Sequence, residues 1–281
     1  TKLEPNRTHP NGGGTDAFTQ ASVLDLYAPN RSRDILHNGA KASREDFVAA
    51  MGEVVAGSGK IGFVFGEDDS PTRSRLVNDL GTAFGGAKFY SYEALAGEGR
   101  KTALAGVFGV DGANVVADFS KAERILSLDS DFASLDQQGE VAAFFRGRSA
   151  GSDDYKHEID AKKMNRLYAV ESAFSMTGGM ADHRLRATPG EIFRIAAEIG
   201  RRIQIKANDP QLGKILNEIT PLVFAKTEEK DDTWKQKWIN ACAEDLWDAK
   251  GKSAVLAGTR HSEGLQRLVV AMNIALQAYG A

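Results

Sequence analysis

The sequence is informative first for what it has little of. It holds a single cysteine, Cys242. One thiol rules out an intrachain disulfide and any zinc or iron–sulfur site built from this chain's own cysteines. So little cysteine fits a reducing compartment, and it fits equally an exported protein that manages without disulfides, so the compartment stays open on this count. No run of about 18 apolar residues occurs, so no helix can span a bilayer. The opening TKLEPNRTHPNGGG has no apolar signal core and no initiator methionine, and the chain reads as an interior piece of a longer one. Neither sign of charge dominates: 35 Lys and Arg against 38 Asp and Glu leave −3. That balance gives no protein-wide field for nucleic acid or anionic lipid. No internal repeat, low-complexity tract, His-Glu-x-x-His, Cys-x-x-Cys or Ser-x-x-Lys pattern is present.

What remains is a chain of 281 residues, 42% hydrophobic and 26% charged, long enough to build a core without covalent staples. Short apolar runs alternate with amphipathic stretches. KIGFVFG, AKFYSY, NVVADF, RILSLDSDF, NRLYAVES, ADHRLRAT and SAVLAG read as strands. Ser43 is placed to cap a helix with Phe47, Met51, Val54 and Val55 on one face. Ser70 caps a second, with Pro71 at its first position and Leu76, Val77, Leu80 and Phe84 as its stripe. GEVAAFFRGRS reads as a helix, and GSDDYKHEIDAKK as a polar loop. Thr188 caps TPGEIFRIAAEIGRRI. DPQLGKILNEITPLVFAK continues helical and breaks near Pro221. Trp234, Trp238, Cys242 and Leu246 then recur at helical spacing. The last helix turns Leu265, Leu268, Val269, Met272 and Leu276 inward. Strands alternating with helices of this length predict an α/β protein with parallel sheets flanked by helices. The expected division is residues 1–42 as a lead-in and helix from a preceding domain, 43–187 as a first α/β unit and 188–281 as a second.

The candidate sites are few. NGGGTDAF has glycines and a helix but no strand before it. It therefore matches neither the dinucleotide fingerprint nor the Walker pattern, and Thr15 or Asp16 reads as a helix cap. Gly66 and Ser70 stand between a strand's carboxyl end and a helix start, where α/β sheets bind ligands. The adjoining Glu67, Asp68 and Asp69 would repel a phosphate. LAGTRHSEG, with Gly258, Arg260 and His261, has the same placement and a milder charge. Asp129 and Asp131 suit a Mg²⁺ or acid–base pair in spacing, yet they read better as strand-end turn residues. His183 reads as structural or solvated, and Trp234, Trp238 and Phe144 as packing.

Taken together, TDAFTQASVLDLYAPNRSRD, SPTRSRLVNDL, ADFSKAERILSLDSDF, MNRLYAVESAFSMTGGMADHRL and GKSAVLAG…AMNIALQAYG resemble, in order and over nearly the whole chain, the B subunit of bacterial alternative complex III. That family is the molybdopterin-oxidoreductase-like iron–sulfur subunit of a quinol:electron-acceptor oxidoreductase. The resemblance implies formate dehydrogenase- or DMSO reductase-like α/β domains, of which this chain would be the middle portion. It implies no cofactor in this segment. Where cofactor-bearing relatives place a cluster cysteine and a lysine, Asp16 and Phe18 stand. Glu171, Ser172 and Ala173 replace an Asp-Pro-Arg turn, and Ile192 replaces an anchoring aspartate. A carboxylate is a poor substitute for a soft thiolate on such a cluster. Iron–sulfur clusters are implied elsewhere in the full-length subunit. The implied partners are multihaem and monohaem cytochrome c subunits and quinol-binding membrane subunits, with no nucleic acid. The implied location is the periplasmic side of the bacterial inner membrane, held there by partner subunits without a span of its own. The alternative is a segment of an active molybdopterin-dependent oxidoreductase. It would bind pterin or nucleotide at the sheet's carboxyl edge near Gly66, Ser70, Glu171, Ser172 and Gly258.

Overall fold

The computed structural model describes the chain except residues 1, 7, 9–14, 16, 58–60, 67–69, 95–96, 111–113, 137–138, 150–163, 225–232 and 281. The polar loop read at GSDDYKHEIDAKK and the opening glycines therefore lie outside the described residues. The chain forms two compact units, Thr1–Glu4 with Thr15–Ala96, and Pro5–Gly14 with Gly97–Ala281.

The first unit begins with α1 (Ala17–Ala21) and a 3₁₀ turn, Ser22–Leu26. A hairpin not read from the sequence follows, β1 (Ile35–His37) against β2 (Ala40–Ala42), antiparallel. Its two-residue turn is Asn38–Gly39, both at positive φ (52° and 80°), the pair that suits a type I′ turn. α2 (Arg44–Ala56) starts at Ser43, which forms a reciprocal capping box with Asp46. β3 (Gly62–Phe65) and β4 (Lys88–Ser91) pair in parallel around α3 (Pro71–Ala83), whose Ser70 cap accepts from Arg73 N–H. Phe63 and Phe89 stack across the pair at 5.1 Å. Yet no described residue of this unit is buried. The α2 face expected to turn inward leaves Phe47, Val54 and Val55 exposed, because the unit has no interior of its own for them to reach.

The second unit runs α4 (Glu98–Phe108), β5 (Arg124–Leu128), α5 (Val141–Arg148), β6 (Arg166–Glu171), α6 (Met176–Gly179), β7 (His183–Arg186), α7 (Pro189–Ala207), α8 (Pro210–Val223), α9 (Thr233–Asp248), β8 (Ser253–Ala257) and α10 (Glu263–Ala275). Four strands form one parallel sheet in the order β7-β6-β5-β8. β5, β6 and β8 are short, mostly apolar runs with nearly every residue buried, the mark of strands covered on both faces. On one face Leu126, Leu128, Tyr168, Val170, Val255 and Ala257 pack under α7–α10. On the other, Ile125, Leu167 and Leu256 pack against Phe119, Phe132 and Phe144. α4 closes over α10 through Ala103, Leu104 and Val270.

Several expectations need correction. NVVADF is not a strand; only Ala117 makes a bridge, to Gly139. The division expected after residue 187 is absent, because β8 from beyond it pairs with β5 from before it, register Arg124↔Ser253 to Leu128↔Ala257. Residues 15–42 likewise belong to one unit with 43–96. Trp234 is exposed instead of packed, and α8 continues past Pro221 to Val223.

β8 is an edge strand, and its odd-numbered peptide groups face outward. The buried Asn273 carboxamide occupies the middle of that edge. Its Oδ1 accepts from Val255 N–H at 2.9 Å and its Nδ2 donates to Val255 C=O at 2.8 Å, so one side chain substitutes for a neighbouring strand. At the amino end of the sheet, Asp245 of α9 ties β5 and β6 together. It accepts from Arg166 at 2.6 Å and Tyr168 Oη at 2.9 Å, and it lies 3.2 Å from Arg124 Nε.

Candidate functional site

In a parallel sheet the strands' carboxyl ends are the usual ligand edge, above all where the strand order reverses. Here the chain steps from β5 to β6 to β7 and then crosses back to β8 on the far side of β5. The reversal therefore lies between the ends of β5 and β8. Asp129 follows β5 in the left-handed region, φ 52°, where a short polar side chain is tolerated. Its N–H donates to Val170 C=O at 2.7 Å. Its carboxylate accepts from Ser172 N–H at 3.0 Å and from Ser172 Oγ at 3.2 Å. Across the crevice Gly258 meets the Asp129 backbone so closely that a Cβ would lie 2.2 Å from the Asp129 carbonyl oxygen. Gln266 Nε2 fixes Gly258 C=O from below at 2.8 Å.

The remaining carboxylates of this edge are held in the same way. Asp131 accepts from Thr177 N–H and Oγ, both at 3.0 Å, and Thr177 Oγ accepts in turn from Ala133 N–H. Ser130 Oγ donates to Asp136 at 3.0 Å. Glu171, at the end of β6, is buried; it accepts from Ser175 Oγ at 2.6 Å and from Arg184 Nε at 2.5 Å. Gly178 closes over it, where a Cβ would lie 1.8 Å from Glu171 Oε1. Phe174 then lies under the Arg184 guanidinium at 4.7 Å. The loops after β5 and β6 are thus stitched together by side chains of the chain itself.

His261 completes the crevice. Its side chain is 10% exposed and its Nε2 lies 3.7 Å from Asp129 Oδ2. Nε2 makes no hydrogen bond. Burial lowers the imidazole below its ordinary value, against the pull of Asp129; Arg260 also lowers it and Asp136 raises it. Arg260 itself reaches into water, 4.0 Å from Asp129.

No protein-family model and no curated protein matches the chain. The reading of the site therefore rests on its geometry.

Of the five residues expected at a ligand edge, Glu171, Ser172 and Gly258 are brought together in the second unit. Gly66 and Ser70 belong to the first unit. There Ser70 Oγ accepts from Arg73 N–H at 3.3 Å and Gly66 C=O accepts from the Arg73 guanidinium. The neighbouring Glu67, Asp68 and Asp69 lie outside the described residues, as does Asp16. Asp129 and Asp131 turn to different hydroxyl residues, Ser172 and Thr177. His183 is exposed and stacks on Tyr168 at 4.7 Å. Cys242, on the inner face of α9, is sealed in the core, with its thiol pushed up by burial. Among the described residues no three His, Cys, Asp or Glu side chains gather to hold a metal ion. Also among them, no helix is long and apolar enough to cross a membrane.

Away from this edge, described residues of the second unit also line cavities. One of about 310 Å³ runs beside β8 between Val115, Ala117, Ser253, Asn273 and Tyr279. Another, about 480 Å³, opens at the amino ends of the strands by Lys121, Glu123, Gly147, Asn165 and Lys252. The sequence reading missed Thr177, Arg184 and Asn273. Thr177 and Arg184 carry no motif, and their partners lie 46 and 13 residues away. Asn273 sits on an otherwise apolar helix face, and that mismatch was its one signal.

Proposed function

We propose that this chain is a cofactor-free, molybdopterin-oxidoreductase-like scaffold segment of a membrane-associated respiratory quinol:electron-acceptor oxidoreductase. It positions iron–sulfur and haem subunits for electron transfer and contributes no reacting group. Its place is the periplasmic face of the inner membrane, where it is held by multihaem and monohaem cytochrome c subunits and quinol-binding membrane subunits. The observation that carries this reading is the state of the ligand edge. Asp129, Asp131 and Glu171 spend their acceptor capacity on Ser172, Thr177, Ser175 and Arg184, and Gly178 and Gly258 bring backbone into the space a bound group would need. A ligand would have to break this network, and each buried partner left unmatched costs about 1–3 kcal/mol. The uncovered apolar side chains of the first unit support the scaffold role, since exposed apolar surface of this kind marks contact with other proteins.

The alternative is a segment of an active molybdopterin-dependent enzyme. One observation favours it: Glu171, Ser172 and Gly258 share the edge where such a ligand would bind. Metal analysis of the purified full-length protein separates the two. The scaffold reading expects no molybdenum or tungsten, and either metal at one equivalent per chain would sink it.

A further inference from the structure

The crevice between β5 and β8 contains a feature that the scaffold role does not use, the buried imidazole of His261. Three elements converge on it. The loop after β5 presents the Asp129 carboxylate 3.7 Å from Nε2. The loop after β8 carries His261 itself, with its N–H donating to Gly258 C=O at 3.1 Å. The start of α4 lies against the same loop: a Cβ on Gly99 would stand 3.0 Å from Glu263 N and 3.3 Å from His261 O, and one on Gly97 would stand 3.4 Å from Thr259 Cγ2. The charged groups that act on the imidazole are Asp129 and Asp136 from the loop after β5 and Arg260 from its own loop; of the elements packed against that loop, α10 begins at Glu263 and the first turn of α4 carries Glu98 and Arg100.

This packing holds Nε2 beyond hydrogen-bonding distance of the Asp129 carboxylate. The His261 loop cannot move closer to Asp129, because Gly258 already touches the Asp129 carbonyl. Asp129 cannot move closer to His261, because its oxygens hold Ser172 and its N–H holds Val170. A neutral imidazole tolerates that gap. A charged one would be desolvated and not hydrogen-bonded, which low-dielectric surroundings penalise strongly.

We propose that His261 is a proton-operated latch: neutral, it keeps the β8–α10 loop shut against β5 and α4; protonated, it leaves the crevice for water and the loop opens. Opening would uncover the Asp129 carboxylate, still held by Ser172, and carry Arg260 away from it, so the ligand edge would change its exposed charge with pH.

The sign follows from linkage. The folded imidazole takes up its proton less readily than the unfolded one, so the closed state is favoured at neutral pH and is lost as pH falls below the ordinary histidine range, near 6.5. Hydrogen exchange of the purified protein tests this, with rates corrected for the intrinsic effect of pH. The readout is protection of the Gly258, His261 and Gln266 amides, with Ile199 in the core of α7 as the internal reference. Protection of the three is expected to fall on acidification from pH 7.5 to 5, steepening toward about tenfold per pH unit. In His261→Phe, and in His261→Gln should the first variant fold poorly, the three amides are expected to keep their protection across that range relative to Ile199. Wild-type protection that stays flat or rises on acidification overturns the proposal. So does a loss that the variants reproduce.

Discussion

Asn273 offers a direct test of how the sheet is closed. Replacing it with alanine removes two hydrogen bonds, 2.9 Å from Val255 N–H and 2.8 Å to Val255 C=O. It leaves both peptide groups facing the edge cavity of about 310 Å³. A buried backbone group stripped of its partner costs about 1–3 kcal/mol, so two dry groups would cost about 2–6 kcal/mol. The cavity is lined in part by polar residues, Ser253 among them, and is roomy enough for water, which lowers the cost toward the bottom of that range. We therefore expect Asn273→Ala to destabilise the second unit by about 2–3 kcal/mol. Asn273→Leu fills the lost volume but restores neither bond, so it should recover little of that loss. The three tryptophans, Trp234, Trp238 and Trp247, all lie on α9, so fluorescence during urea unfolding reports this unit alone. The midpoint should fall with the slope unchanged. A loss below about 0.5 kcal/mol for Asn273→Ala, or full recovery in Asn273→Leu, would refute the strand-substitute role and reduce Asn273 to ordinary packing.

Two further outcomes follow from the second unit. Gly178→Ala drives a Cβ to 1.8 Å from Glu171 Oε1, so the Glu171–Arg184 pair must separate or the loop must shift; a loss of about 2–4 kcal/mol by the same fluorescence assay is expected, and a neutral result would show that this loop is free to move. Burial opposes ionisation of Asp245, but its hydrogen bonds from Arg166 and Tyr168 outweigh that and hold the carboxyl below its ordinary 3.8. A depressed carboxyl stabilises the fold above that value and loses its contribution as pH falls through the folded one. Wild type should therefore lose stability between pH 5 and pH 2 more steeply than Asp245→Asn, and identical slopes would dismiss the pair as a stability determinant.

How far the sequence disclosed this architecture can be traced to particular residues. The cores of β5, β6 and β8 are apolar runs bounded by polar ends, and Ser43, Ser70 and Thr188 mark helix starts through chemistry confined to four residues. Such signals are local. The Asn38–Gly39 turn is equally local, but its strands are only three residues long, too short to show an alternating pattern. α4 was missed because glycine at 99 and 106 blunts its apolar stripe. The division of the chain was misplaced for a different reason: the pairing that fuses residues 124–128 with 253–257 joins segments more than 120 residues apart. The ligand edge shows the same split. Glu171 and Ser175 are four residues apart and legible as neighbours, whereas Ser172 meets Asp129 only through the sheet.

The sealed position of Cys242 has a practical corollary for mapping this protein's neighbours. Since the native sulfhydryl is shut away from reagents, a cysteine introduced on the surface would be the sole thiol a maleimide meets in the folded chain. Scanning that label across Phe47, Val64 and Tyr90 in the first unit, and Phe174 and Leu222 in the second, turns the question of which faces are covered in an assembly into a protection pattern, read one position at a time.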